Sequence, residues 1–149
     1  MKVLIQRVLR AAVTIDGREC RRTGKGLAVL VGVGKNDTEA DAVWLADKTA
    51  RLRVFPNEAG KLDLSLLDIK GEALVVSQFT LYGDAKKGCR PDFGSAAAPE
   101  DAEKLYKTYV HALDVAGIPV KTGEFGAHME VEIINDGPVT LLLERENGR

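Results

Sequence analysis

Ala73-Leu74-Val75-Val76-Ser77-Gln78-Phe79-Thr80-Leu81-Tyr82 opens as an apolar run and then switches to hydroxyl, amide, aromatic and hydroxyl. A continuous apolar stretch of this kind fits a strand covered on both faces. The switch is unusual, because a polar group leaving water costs free energy unless it finds a hydrogen-bond partner. One reading is that the strand emerges into solvent at Ser77. The other is that the stretch does chemistry. Strand alternation would send Ser77 and Phe79 to one side and Gln78 and Thr80 to the other. Both polar pairs then share a pocket only if the strand bulges, or if backbone N–H groups act in their place.

Working outward, Val3–Leu9 and Ala12–Arg22 read as strand regions, the second broken by the turn signal Asp16-Gly17. Gly26–Val33 is a second doubly covered run. Asp37 or Thr38 can cap a helix whose Ala42, Leu45, Ala46, Thr49 and Leu52 fall on one 3.6-residue face. Leu62, Leu64 and Leu66 alternate with polar residues as in a half-exposed strand. A Gly-, Lys- and Pro-containing loop covers Gly83–Ala98, and Pro99 starts a second helix that Gly117 stops. Its buried stripe is Ala102, Leu105, Tyr106, Tyr109, Val110, Leu113 and Ala116. Val120–Glu124, His128–Ile134 and Val139–Glu144 complete the strands. With no repeat or linker, residues 1–149 read as one α+β domain: a mostly antiparallel, barrel-like sheet with two main helices.

Composition narrows the function classes. The chain has 149 residues, 45% of them hydrophobic, with 21 Lys+Arg against 22 Asp+Glu for a net charge of −1. Such a chain buries about two-thirds of its unfolded surface. Near-neutral charge gives no broad field for long nucleic acid, so any RNA contact has to be local. Two cysteines make no disulfide scaffold. The longest apolar stretch, Leu27–Val33, is seven residues, against roughly 20 for a membrane span. Arg7 and Arg10 interrupt what a signal peptide would need. The expectation is a soluble cytoplasmic protein with no membrane partner.

Motifs for familiar chemistries fail one by one. Gly24, Gly26, Gly32 and Gly34 form neither a dinucleotide fingerprint nor a P-loop. His128, Glu130 and Glu132 share a strand face that could offer metal ligands, but Met129, Val131 and Ile133 alternate with them, as in a strand with one wet face. No metal or cofactor is expected. Ser77 lacks a nucleophile elbow, and Cys89 has no base partner despite Lys86, Lys87 and Arg90 nearby. An enzyme built this way would need an activated substrate such as an ester, with positioned donors and a water.

Asn135-Asp136-Gly137-Pro138-Val139-Thr140 is the second odd feature, since Pro138 stands between two apolar strand segments where it cannot donate to a ladder. An X-Pro bond is cis in only about 5–6% of folded cases, so physics alone reads the segment as a turn joining two strands. The two motifs together carry a resemblance. With Ile5-Gln6-Arg7-Val8, Leu74-Val75-Val76, Arg90-Pro91-Asp92-Phe93, Thr122-Gly123 and Phe125, the chain closely resembles the D-aminoacyl-tRNA deacylases over nearly its whole length. It departs from the family at Asp92, where serine is common, and at Ala98, where a capping residue is usual.

The resemblance implies a homodimeric editing hydrolase that cleaves the ester joining a D-amino acid to the 3′-terminal adenosine of tRNA. It implies a cis Gly137-Pro138 bond reaching into the partner subunit's pocket, with main-chain carbonyls facing the substrate α-amino group and Arg7 holding the dipeptide. Ser77, Gln78, Phe79 and Thr80 would line the reaction centre, with the tRNA 2′-hydroxyl assisting catalysis. Lys86, Lys87 and Arg90 then serve either as phosphate contacts or as a plain solvated loop. A wall of main chain rejects an L substituent by collision, so glycyl-tRNA is also an expected substrate. Two alternatives stand beside it: a non-catalytic RNA-end or small-ligand binding module, and an esterase using Thr80 or Ser77.

Overall fold

The computed structural model describes all 149 residues. In chain order the elements are β1 (Lys2–Ile15), β2 (Glu19–Thr23), β3 (Gly26–Gly32), α1 (Glu39–Arg51), β4 (Phe55–Pro56), β5 (Leu62–Leu64), β6 (Glu72–Ser77), a 3₁₀ turn (Phe79–Tyr82), α2 (Pro99–Val115), β7 (Val120–Thr122) and β8 (Met129–Glu144). β1 is the spine. It pairs antiparallel with β3 through Lys2–Val8, with β2 through Ala11–Ile15, and with β8 along its other edge.

A bulge in β1 decides which faces its side chains reach. Val3 and Ile5 point to the helix-covered core, and Val8 points to the opposite cluster. Beyond the register shifts at Gln6/Val8 and Val8/Arg10, Ala11, Val13 and Ile15 join the cluster of Val8. An extra residue in one strand exchanges the two faces for everything after it. β1 is therefore one bent strand where the sequence reads as two.

The sheet is mixed, not mostly antiparallel as expected, because β3–β6 and β6–β7 pair parallel. The cause is visible in the connections. α1 lies between β3 and β6, α2 lies between β6 and β7, and a parallel pair needs such a crossover. In β3 and β6 alternate residues feed the two clusters: Leu27, Val29, Ala73 and Val75 on one face, Ala28, Leu74 and Val76 on the other. Arg21 on β2 donates from Nη1 to the Thr122 carbonyl on β7 (2.8 Å), which draws the outer strands toward a nearly closed barrel. The helices share one layer. Tyr109 donates to Thr49 Oγ1 (2.9 Å) across α1 and α2, and Tyr106 donates to the Val75 carbonyl (2.8 Å) of β6. Ala116, expected in the α2 stripe, is exposed. No helix is long and apolar enough to cross a membrane.

Candidate functional site

The strand expected over Ala73–Tyr82 stops at Ser77, whose register partner is Val31. Gln78 N–H still donates to the Val31 carbonyl (2.7 Å), after which Phe79–Tyr82 coil into the 3₁₀ turn. Leu81 N–H reaches back to the Gln78 carbonyl (3.3 Å) and Gly83 N–H to that of Thr80 (2.9 Å). The N–H groups of Phe79 and Thr80 precede the first of these bonds and have no partner within the turn. Alternation therefore does not divide the quartet. A 3₁₀ backbone advances about a third of a turn per residue, so residues 77–80 crowd around one bend. Thr80 and Phe79 are exposed, Gln78 Nε2 donates to Thr80 Oγ1, and Phe79 meets Phe93 edge-on with centroids 5.2 Å apart.

Sequence reasoning missed what holds this bend. A Cβ on Gly32 would lie 3.0 Å from Leu81 Cβ, and one on Gly34 would lie 2.7 Å from the Tyr82 ring, so two glycines make room for the turn to pack on the end of β3. Tyr82 donates its hydroxyl to Asp37 Oδ2 (3.2 Å), and Lys2 Nζ sits 5.0 Å from the ring centroid. Burial, with the Asp37 carboxylate beside it, pushes the Tyr82 phenol well above its ordinary range and keeps it a donor. The glycine spacing was the one available signal.

The second motif lies inside β8, which continues unbroken through it, so no turn separates two strands there. Its Gly137-Pro138 bond is cis. The ladder with β1 jumps from Asn135↔Val8 to Thr140↔Gln6, leaving residues 136–139 opposite Arg7 alone. Arg7 fills that gap: Nε donates to the Asp136 carbonyl (2.7 Å) and Nη1 to the Val54 carbonyl (2.8 Å). Asn135 spans the bulge from within, donating from Nδ2 to the Val139 carbonyl (3.1 Å) and accepting at Oδ1 from Val139 N–H (3.3 Å). A Cβ on Gly137 would collide with the Val139 backbone nitrogen, so only glycine fits. Gly137 and Pro138 are both exposed.

Within one chain the two motifs do not meet. Ser77 aligns with Val31, Val31 with Val3, and Val3 with Leu143, whereas the bulge faces Arg7. Four residues along and three strands across put them about 20 Å apart, at about 3.3 Å per residue and 4.8 Å per strand. Lys86, Lys87 and Arg90 stand exposed on a loop whose base is closed by Asp84 and Asp92 through paired N–H···O=C bonds of 2.8 Å. Phe93, next to that base, touches Phe79 of the turn. His111 is exposed on α2, and His128, Glu130 and Glu132 are exposed in and just before β8.

The 77–80 bend thus presents the Phe79 and Thr80 amides, and the Gly137-Pro138 bulge presents exposed main chain, at two separate places on one sheet. A solved structure described as a probable eukaryotic D-amino acid tRNA deacylase shares the fold, with a TM-score of 0.84 over 95% of this chain and 97% of that one at 17% identity. The family model for D-Tyr-tRNA(Tyr) deacylase matches residues 4–144, and the chain belongs to that family, a class of ester hydrolases. The D-aminoacyl-tRNA deacylase of Heliobacterium modesticaldum is 55% identical over 99% of both chains. A solved structure described as a c-Myc DNA Unwinding Element Binding Protein is 42% identical, with a TM-score of 0.91, over 97% of this chain and 99% of that one.

Proposed function

We propose that this protein hydrolyses the ester of D-aminoacyl-tRNA in the cytoplasm, releasing the D-amino acid and intact tRNA. It acts as a homodimer in which Gly137-Pro138 of one subunit closes the 77–80 bend of the other. The family-model match over residues 4–144, together with relatives named for this activity, carries the reading of the reaction. The separation of about 20 Å between the motifs in one chain supports a site completed by a second copy. β8 supports it further: the strand hydrogen-bonds to β1 alone and leaves Val131, Leu141 and Leu142 38%, 41% and 48% exposed. A strand edge without a partner, with exposed apolar side chains on the same strand, marks a surface that pairs.

In this reading the acyl oxygen sits on the N–H groups of Phe79 and Thr80, which stabilise the charge that develops there. Water forms the new bond to the acyl carbon, the bond to the 3′-oxygen breaks, and the vicinal 2′-hydroxyl relays the proton to that oxygen. An L substituent collides with the Gly137-Pro138 main chain, whereas D and glycyl substrates do not. Lys86, Lys87 and Arg90 hold phosphates of the acceptor end.

One observation favours a second reading, binding of a nucleic-acid end without chemistry: the 42% identical solved structure is named as a DNA-unwinding-element binding protein. Incubation with D-Tyr-tRNA, L-Tyr-tRNA and Gly-tRNA separates the two. Release from the D and glycyl species alone is expected, with little turnover of D-Tyr-tRNA ending in 2′-deoxyadenosine. Equal or absent release from the D and L forms contradicts the editing reading, and normal turnover of the deoxy substrate contradicts the role of the hydroxyl.

A further inference from the structure

Arg7 grips two backbone segments at once. Its bonds to the Asp136 and Val54 carbonyls hold Arg53-Val54 beside the approach to Gly137-Pro138. Two acceptors on one guanidinium lie within about 6 Å of each other. The segment following α1 therefore lies beside the backbone that leads into Gly137-Pro138.

That segment ends an open groove of about 550 Å³ lined by Trp44, Asp47, Lys48, Arg51, Leu52 and Arg53. Trp44, the chain's single tryptophan, is 41% exposed. Lys48 Nζ stands 5.8 Å from its ring centroid, and the Arg145 guanidinium lies 4.2 Å from it. Arg51 pairs with Asp47 (2.7 Å) and Arg53 with Asp63. Both arginine side chains are about two-thirds exposed, at 68% and 67%. Pairs this wet are worth little and exchange readily for another anion. Around the groove Lys48, Arg51, Arg53 and Arg145 face three carboxylates, Asp47, Asp63 and Asp41, which leaves Lys48 as a cation with no carboxylate partner in a chain whose net charge is −1. The helix dipole alone accounts for Lys48 and Arg51 in the last turn of α1, since cations are favoured there. Arg53, past the helix, also donates from Nε to the Asp63 carbonyl (2.8 Å), but neither the dipole nor that bond accounts for an exposed indole between two cations. Cations lining a nucleotide-sized groove with an aromatic wall match the chemistry that tracks an RNA backbone.

We propose that Lys48, Arg51 and Arg53 form a second RNA-contact surface, meeting acceptor-end phosphates of the tRNA whose ester occupies the other subunit's 77–80 bend. This rests on the two-subunit reading above, and it makes the grip bipartite. Lys86, Lys87 and Arg90 hold the RNA from the subunit that supplies the bend, and the end of α1 holds it from the subunit that supplies Gly137-Pro138.

The test compares wild type with Lys48→Glu/Arg51→Glu and with the charge-keeping Lys48→Arg/Arg51→Lys, on D-Tyr-tRNA and on the 3′-D-tyrosyl ester of adenosine. For the Glu pair, kcat/KM on D-Tyr-tRNA should fall at least tenfold, with a salt dependence shallower by about 1–2 in log–log slope. Turnover of the adenosine ester and the D/L ratio should not change, and the charge-keeping pair should stay near wild type. A change within twofold on D-Tyr-tRNA overturns the proposal, as does an equal fall on both substrates. Binding of uncharged tRNA by the same proteins keeps the two readings apart. If wild type releases no D-Tyr, the deacylase reading fails, while weakened RNA binding by the Glu pair alone still supports the surface and unchanged binding sinks it.

Discussion

Thr80 has two groups that could act on an ester, and the structure separates them. Its hydroxyl accepts from Gln78 Nε2, while its amide lies in the first turn of the 3₁₀ segment with no partner inside that turn. Thr80→Ala removes the hydroxyl and should change kcat on D-Tyr-tRNA less than tenfold. Thr80→Pro removes the amide hydrogen and, as the third residue of the Gln78–Leu81 turn, also pushes Phe79 out of its helical conformation, so it should lower kcat by at least the roughly 10²–10³-fold found when one oxyanion donor is lost. A loss near 10⁴-fold from Thr80→Ala would instead assign the hydroxyl as a nucleophile. At this scale the sequence was informative about which residues are unusual and silent about their supports. Ser77–Thr80 and Gly137-Pro138 stand out because polar groups and proline interrupt apolar strands. Tyr82, Asp37 and Asn135 do not, because an ordinary residue becomes a support only through a contact distant in sequence, such as the 3.2 Å bond from Tyr82 to Asp37.

Helix α1 shows how an element fixes its own end and then carries its neighbours. Thr38 and Asp41 form a reciprocal cap, and the fully buried Asp41 carboxylate also accepts from Arg145 Nε (3.3 Å) and Gly148 N–H (3.0 Å). Burial pushes its pKa up, but the bonds from Gly148 and Thr38 outweigh this and leave it lowered to about 2. A carboxyl whose folded pKa lies below its unfolded value stabilises the fold above pH 4, and that contribution is lost as pH falls toward 2. The shift corresponds to about 2 kcal/mol at neutral pH. Asp41→Asn should therefore lower stability at pH 7 by that order and flatten the acid limb between pH 4 and 2 in urea titrations. Parallel stability–pH curves for the two proteins would contradict the assignment. The helices, their stripes and most strands were legible because periodicity is a local property. The parallel pairing of β3 with β6 was not read, although two apolar runs flanking a helix were its trace. The 3₁₀ turn was hidden because its cause, room at Gly32 and Gly34, lies on another strand.

For the whole molecule, the proposed two-subunit site rests on the separation of its two motifs within one chain. Two motifs that read as one site stand about 20 Å apart on the same twisted sheet, while β8 pairs on one edge alone and leaves Val131, Leu141 and Leu142 exposed. A mixed-dimer experiment tests whether the wall comes from a neighbouring copy. Arg7→Leu frees the Asp136 carbonyl from its guanidinium and loosens the wall while leaving the bend intact, so it should hydrolyse L-Tyr-tRNA at least tenfold faster than wild type. Thr80→Pro keeps the wall and loses the bend's amide. When a trace of Arg7→Leu subunits is exchanged into a large excess of Thr80→Pro subunits, nearly every intact bend faces an intact wall. Hydrolysis of L-Tyr-tRNA should then drop to the wild-type background while each intact bend keeps its turnover of D-Tyr-tRNA. Hydrolysis of L-Tyr-tRNA persisting at the level of Arg7→Leu alone, after complete exchange, would show that each chain judges handedness by itself and contradict the account.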